Sequence, residues 1–369
     1  MSSPLTQLTE LGQSVWYDFI TRDLIQSGEL ARLIKEDSLR GMTSNPTIFE
    51  KAVAASSDYD QDIHTLSESG ESPDGIVEAL MIKDVKSACD VFRPVYDKSG
   101  HGDGTVSIEV SPKLAHDTEG TIEAAHRLWK LVDRPNLMVK IPATEAGLPA
   151  IAQCLADGIN INITLLFSVE RYKQVIDAFR EGLERRVALD LPINTLHSVA
   201  SFFVSRVDGR TDPVLVKTGE RGKPLLHKMA IANARVAYEV FGRSMLTPRW
   251  QALAAKGAKA QRPLWASTST KDPSLPDIYY IEALIAPDTV NTIPPDTFRA
   301  YNDHGKPEVR ITPAAELEAT AMLASYEKLG VAPLAEHTAF LEEDGVKKFN
   351  DSWNALLERV KQKASVLAA

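Results

Sequence analysis

Eight short apolar runs alternate with longer amphipathic stretches along this chain of 369 residues, and that alternation is the strongest limit on its fold. The runs fall at 14–19, 41–44, 105–111, 137–142, 160–167, 197–207, 263–269 and 280–286. Helical patterns lie between them, for example at 73–96, 118–131, 144–156 and 169–188. The first of these follows Ser72 with Pro73 at its first position, where proline's missing N–H costs nothing. Strand–helix alternation repeated eight times reads as a (β/α)8 TIM barrel of the α/β class. A doubly wound sheet is the alternative, but no glycine-rich turn follows the first run.

The runs are not uniformly apolar. Asn160, Asn162 and Thr164 alternate with Ile161, Ile163 and Leu165, and Ser107, Glu109 and Ser111 alternate with Val106, Ile108 and Val110. Side chains of a strand point to opposite faces with period two. In a barrel the apolar set packs under helices and the polar set points inward, near the C-terminal mouth where barrel enzymes work. An antiparallel strand with one wet face has the same pattern, but the long crossovers argue against it.

Within NLMVKIPAT, at 136–144, Lys140 sits inside an apolar run with Val139 and Ile141 as neighbours. Desolvation disfavours an ammonium held this way, and a neutral amine is what attacks a carbonyl to form a Schiff base. The bland alternative is a strand-end lysine whose head reaches water. Other polar residues at the ends of the runs converge on the same mouth: Asp18, Asn45, Glu109, Asn162, Thr164, Ser201, Arg206, Ser267, Ser269 and Lys271. Schiff-base chemistry needs acids and bases around the carbinolamine, and Asp18 and Glu109 can divide those tasks. Asn45, Asn162 and Ser201 can hold hydroxyls, Thr164 can position a water, and Arg206 can grip a phosphate through paired N–H groups. Each also has a structural reading. A carboxylate beside a lysine can be a plain ion pair, Asn45 before Pro46 can shape a turn, and Phe203, Trp16, Trp129 and Trp265 read as packing.

Between these runs, the polar DGRTDPVLVKTGERG at 208–222 is expected to be a long mobile loop, and 223–257 is helix-rich. A second loop is expected at 291–307, with paired prolines. The tail, 313–366, reads as two or three helices appended to a single barrel domain spanning 1–369.

Composition narrows the partners. A formal net charge of −9 argues against general nucleic-acid binding, though a local basic pocket for a small anion is compatible with it. The opening MSSPLTQLTELGQ is polar and no 18-residue apolar run occurs, so a cytoplasmic protein without a membrane span is expected. The two cysteines, Cys89 and Cys154, fall in helical patterns and read as buried thiols. The eight histidines show neither HxH nor HExxH spacing, and GERGK at 219–223 lacks the Ser or Thr of a phosphate loop, so no metal is expected.

Taken together, GMTSNPTIFEK, VSIEVSP, NLMVKIPAT, NINITLLFS, ASFFVSRVDG and LWASTSTKDP resemble the transaldolase family, from Asp18 through Lys271. The length and extra C-terminal helices are similar to its longer bacterial subgroup. The resemblance implies a transferase of the pentose phosphate pathway that needs no cofactor. It would move a dihydroxyacetone unit from sedoheptulose 7-phosphate to glyceraldehyde 3-phosphate, giving erythrose 4-phosphate and fructose 6-phosphate. It implies the Schiff base at Lys140, acid/base work in carbon–carbon cleavage at Asp18, and a Glu109 that acts through a water held by Thr164. Asn45, Asn162, Ser201, Phe203 and Arg206 would contact the sugar phosphate. Shorter relatives carry a second phosphate arginine after the seventh strand; here the segment reads ASTSTKDP, and Ser267 and Lys271 are expected in its place. Fructose 6-phosphate aldolases share the lysine but tend to have glutamine and tyrosine where Glu109 and Phe203 stand. A phosphosugar-binding barrel without activity is a third reading. Composition does not choose between a monomer and a homodimer.

Overall fold

The computed structural model describes residues 2–367. Eight parallel strands close into one barrel in sequence order: β1 (Gln13–Asp18), β2 (Gly41–Thr43), β3 (Thr105–Glu109), β4 (Leu137–Pro142), β5 (Ile161–Leu166), β6 (Ser198–Phe203), β7 (Arg262–Ala266) and β8 (Thr289–Ile293), with β1 also paired to β8. Helices occupy the crossovers, so the chain is a (β/α)8 barrel with helices added at its C-terminal end. The helix Pro73–Lys98 starts as its sequence signals, with the Ser72 hydroxyl accepting the Gly75 N–H. No helix among the described residues is long and apolar enough to cross a membrane.

The barrel interior is filled by side chains. Trp16 is fully buried, and the Cβ of any larger residue at Gly41, its partner on β2, would lie about 2.5 Å from its indole ring. Gly41 is the concession that lets a tryptophan fit inside the barrel. One step toward the mouth on the same face stands Asp18, level with Thr43.

Three expectations from the sequence need correction. The eighth strand is Thr289–Ile293, not 280–286. The latter stretch contains the short helix Tyr279–Ala283, whose surroundings bury Tyr280, Ile281, Leu284 and Ile285 at helical spacing. A short apolar run does not reveal its period, and the prolines at 287, 294 and 295 hid the true strand. In consequence 291–307 is not a loop: it ends β8 and forms the helix Pro295–His304, with Pro295 at its first position.

Next, β6 stops at Phe203, and 208–222 is not a mobile loop. A helix, Ser205–Lys217, carries most of it, followed by single 3-10 turns at Gly219–Arg221 and Lys223–Leu225. Gly209 and Pro213 look like turn residues, but Val207, Thr211 and Leu215 are buried at four-residue spacing and hold one helical face on the barrel.

The tail agrees with the two or three helices expected: it contains the helix Pro313–Glu327 and one unbroken 34-residue helix, Leu334–Leu367. The latter buries Leu341, Val346, Phe349, Trp353, Leu356, Leu357 and Val360, each worth about 1.5–3 kcal/mol relative to exposure. Gly345 lets it cross close to β5: a Cβ there would lie 3.0 Å from the Leu165 Cδ2. Leu165 has φ 56°, and the pairing register of β5 with β6 shifts around it, a bulge of the kind that re-aims side chains beside a site.

Candidate active site

At the C-terminal mouth lies a cavity of about 670 Å3. It is lined by ten of the twelve site residues singled out above: Asp18, Asn45, Lys140, Thr164, Ser201, Phe203, Arg206, Ser267, Ser269 and Lys271. Glu109 and Asn162 do not line it. They lie at the same barrel level as Lys140, because strand register sets Glu109 beside Lys140 and Lys140 beside Asn162.

The Lys140 ammonium is buried at the cavity floor, where it donates to Glu109 Oε2 at 3.1 Å and to the Ser44 carbonyl at 3.1 Å. Burial pushes the Glu109 carboxyl above the usual range; the Lys140 charge opposes that shift and the Asp18 charge adds to it. Glu109 Oε1 and Thr164 Oγ1 are buried without a hydrogen-bond partner among the described residues. Both therefore have capacity to bind a water or a substrate hydroxyl. On the next strands the Asn162 amide is fixed from both sides: it donates to Ser107 Oγ at 3.0 Å and accepts from Ser201 Oγ at 2.6 Å.

Asp18, at the end of β1, is half-buried. Its carboxylate accepts from Thr43 Oγ1 at 2.7 Å, and that hydroxyl lies 2.6 Å from Thr292 Oγ1 on β8. Burial raises the Asp18 pKa, while the Thr43 hydrogen bond and the Lys140 and Arg206 charges hold it down. A carboxylate raised in this way is a stronger base than an exposed one, which suits general-base work. Asn45 caps the helix Pro46–Ala55, its Oδ1 accepting the Ile48 N–H at 3.0 Å, which leaves its amide N–H groups for the cavity. The structural reading of Asn45, a residue that shapes the chain before Pro46, therefore holds.

Arg206 stands in the first turn of the helix Ser205–Lys217, not on β6. Its guanidinium lies 5.2 Å from the Phe203 ring centroid, and Nη1 is buried without a hydrogen-bond partner among the described residues. Desolvation lowers its pKa, opposed by Asp344 and Asp18, but an arginine stays charged in such a site. Lys271 is held below the usual lysine range by partial desolvation and then by the Arg206 and Lys348 charges. Ser267 takes a left-handed backbone, φ 55°, just past β7, and its hydroxyl lies 3.0 Å from Ser205 Oγ. Such strain at a strand end is typical of a functional rim.

Residues not singled out from the sequence complete the wall: Thr43, Thr292, Lys51, Arg299 and Phe349. Thr43 had a signal, since it is two residues before Asn45. Lys51 is four residues after Thr47 on the helix that Asn45 caps, so both share its cavity-facing side. Arg299 and Thr292 were hidden by the misplaced eighth strand. Phe349 comes from the tail helix, and no local pattern announces that contact.

The cavity wall carries five cations, Lys51, Lys140, Arg206, Lys271 and Arg299, against the two carboxylates Asp18 and Asp296. Of the cations only Lys140 and Arg299 are ion-paired among the described residues, to Glu109 and Asp296. A chain of net charge −9 thus concentrates positive charge at one opening, which favours an anionic substrate.

A barrel mouth with a buried lysine, two carboxylates of raised pKa and several cations fits the class of Schiff-base-forming enzymes that act on anionic carbonyl compounds. Comparison with known proteins is consistent with that class. The family model described as transaldolase/fructose-6-phosphate aldolase matches residues 15–360. A transaldolase of Parafrankia sp. (strain EAN1pec) is 50% identical, covering 100% of both chains. Transaldolases of Frankia alni and Acidothermus cellulolyticus are each 51% identical, covering 98% of this chain and 98% and 96% of their own. The chain belongs to the transaldolase/fructose-6-phosphate aldolase family.

Proposed function

We propose that the mouth cavity carries out the transaldolase reaction, transferring a dihydroxyacetone unit from sedoheptulose 7-phosphate to glyceraldehyde 3-phosphate in the cytoplasm. The observation that carries the reading is the Lys140 ammonium buried 3.1 Å from Glu109 Oε2 at the floor of a cation-rich cavity.

The Lys140 amine attacks the ketose carbonyl carbon. Glu109 and a water on Thr164 pass the protons that turn the carbinolamine hydroxyl into departing water, leaving an iminium. Asp18 takes the proton of the C4 hydroxyl; the C3–C4 bond breaks and its electron pair moves into the iminium. The aldose phosphate leaves and a three-carbon enamine stays on Lys140. The enamine carbon then attacks the acceptor aldehyde, Asp18 returns its proton to the new alkoxide, and water hydrolyses the iminium. Asn45, Asn162 and Ser201 hold the hydroxyls of the three-carbon unit, and Phe203 packs beside the substrate. Arg206 grips the phosphate of donor and acceptor alike, with Ser267 and Lys271 completing that site.

Glu109 and Phe203 support transfer over release, since aldolases of this family tend to carry glutamine and tyrosine there. Product analysis with fructose 6-phosphate separates the two. Transfer predicts sedoheptulose 7-phosphate formation when erythrose 4-phosphate is supplied, and no catalytic release of dihydroxyacetone without it. Acceptor-independent dihydroxyacetone release at a comparable rate would assign an aldolase instead.

A further inference from the structure

A second cavity, of about 750 Å3, lies away from the mouth, between the barrel helices Val169–Ala188 and Met229–Met245 and the tail. Much of its wall is apolar: Val169, Ile176, Val236, Val240, Leu323 and Leu334. Its volume is that of a small-molecule site. At its floor is Arg180, only 6% exposed.

The other charged groups of the wall are engaged. Lys173 pairs with Glu170, Arg243 with Glu239, and Asp177 with Arg249, while Glu327 accepts the Leu334 N–H. Arg180 differs. Among the described residues its one hydrogen bond runs from Nη2 to the Ser244 carbonyl at 2.7 Å, and Nε is buried without a partner. It forms no ion pair among the described residues, although it carries a charge that burial penalises. The bond to Ser244 ties down the end of the helix Met229–Met245, but it uses one N–H of the five that a guanidinium offers. The charges of Asp177 and Glu184 act on it from nearby, but neither hydrogen-bonds it; a buried guanidinium with donors to spare under an apolar groove suits an anionic head on an apolar body.

We propose that this groove binds a small amphipathic carboxylate, its head on Arg180 and its chain along the apolar wall between barrel and tail. None of these residues belongs to the mouth cavity, so the site is separate from the one that holds sugar phosphate. Titration calorimetry of the full-length protein with octanoate, octan-1-ol and octylammonium tests the proposal. Saturable one-to-one binding of octanoate is expected, unchanged by saturating inorganic phosphate or fructose 6-phosphate. The alcohol and the amine are expected to bind at least tenfold more weakly. Arg180→Met is expected to lose octanoate affinity at least tenfold. Ala335→Trp, on the exposed rim of the groove, is expected to block binding with Arg180 intact. Wild-type protein that binds octanol as well as octanoate overturns the proposal, as does loss of octanoate when phosphate is added. The ligand comparison and the Ala335→Trp variant decide the matter even where Arg180→Met does not fold.

Discussion

Asp18 has to lose and regain a proton in each turnover, so its surroundings set the pH range of the reaction. Burial lifts its pKa and the Thr43 hydroxyl, 2.7 Å away, pulls it back. Thr43→Val removes that donor, so the Asp18 pKa rises further. The acid limb of the pH–kcat profile is expected to move to higher pH, with activity on the plateau above it largely kept. An unmoved limb would remove Asp18 from the role of base. For substrate binding the residue to test is Arg206, whose guanidinium lines the cavity with Nη1 unpartnered among the described residues. Arg206→Ala is expected to lower kcat/KM for fructose 6-phosphate on the order of 100-fold, roughly the 1.5–3 kcal/mol of a charge-assisted hydrogen bond. Arg206→Lys should fall between, since it keeps the charge and loses the paired geometry. Lys271→Ala is expected to raise the Michaelis constant by a smaller factor; an unchanged constant would take Lys271 out of the phosphate site.

The elements misread from the sequence are those where tertiary contacts override local chemistry. Glycine, proline and polar residues at 208–222 spell a loop, yet Ser205–Lys217 is a helix because one face of it is buried and because Asp208 locks it in place. The Asp208 carboxylate accepts the Ala230 N–H at 2.7 Å and the Tyr280 hydroxyl at 2.9 Å, joining three helices that are distant in sequence. Burial pushes its pKa up to about 7 from the 3.8 usual for an aspartate. Between those values the folded state binds more protons than the unfolded chain, so this group's contribution to stability falls as pH rises through that window. The slope is at most about 1.4 kcal/mol per pH unit. Asp208→Asn removes the titration. Urea unfolding at about pH 5 and about pH 7 is expected to show a smaller loss of stability on raising the pH in Asp208→Asn than in the original protein. Equal losses would mean that Asp208 titrates as an exposed carboxyl.

At the scale of the whole molecule, the barrel was legible because its two periodicities are local: period two in strands such as 161–166, and helical spacing in the stretches between them. The inward set was legible for the same reason, since Glu109, Lys140 and Asn162 come into register once their strands are paired. What local pattern could not reveal is where distant segments meet. β8 was lost among prolines, taking Thr292 and Arg299 with it. The tail showed its helices but not that Phe349 reaches the mouth, because that contact joins the tail to the rim of a barrel completed some fifty residues earlier. The central claim is that the lysine at the convergence of these elements forms the covalent intermediate. The most direct measurement is borohydride reduction in the presence of fructose 6-phosphate, followed by peptide mass spectrometry. The account predicts a three-carbon adduct on Lys140, absent in Lys140→Ala; no adduct on natively folded protein, or an adduct on another lysine, would contradict it.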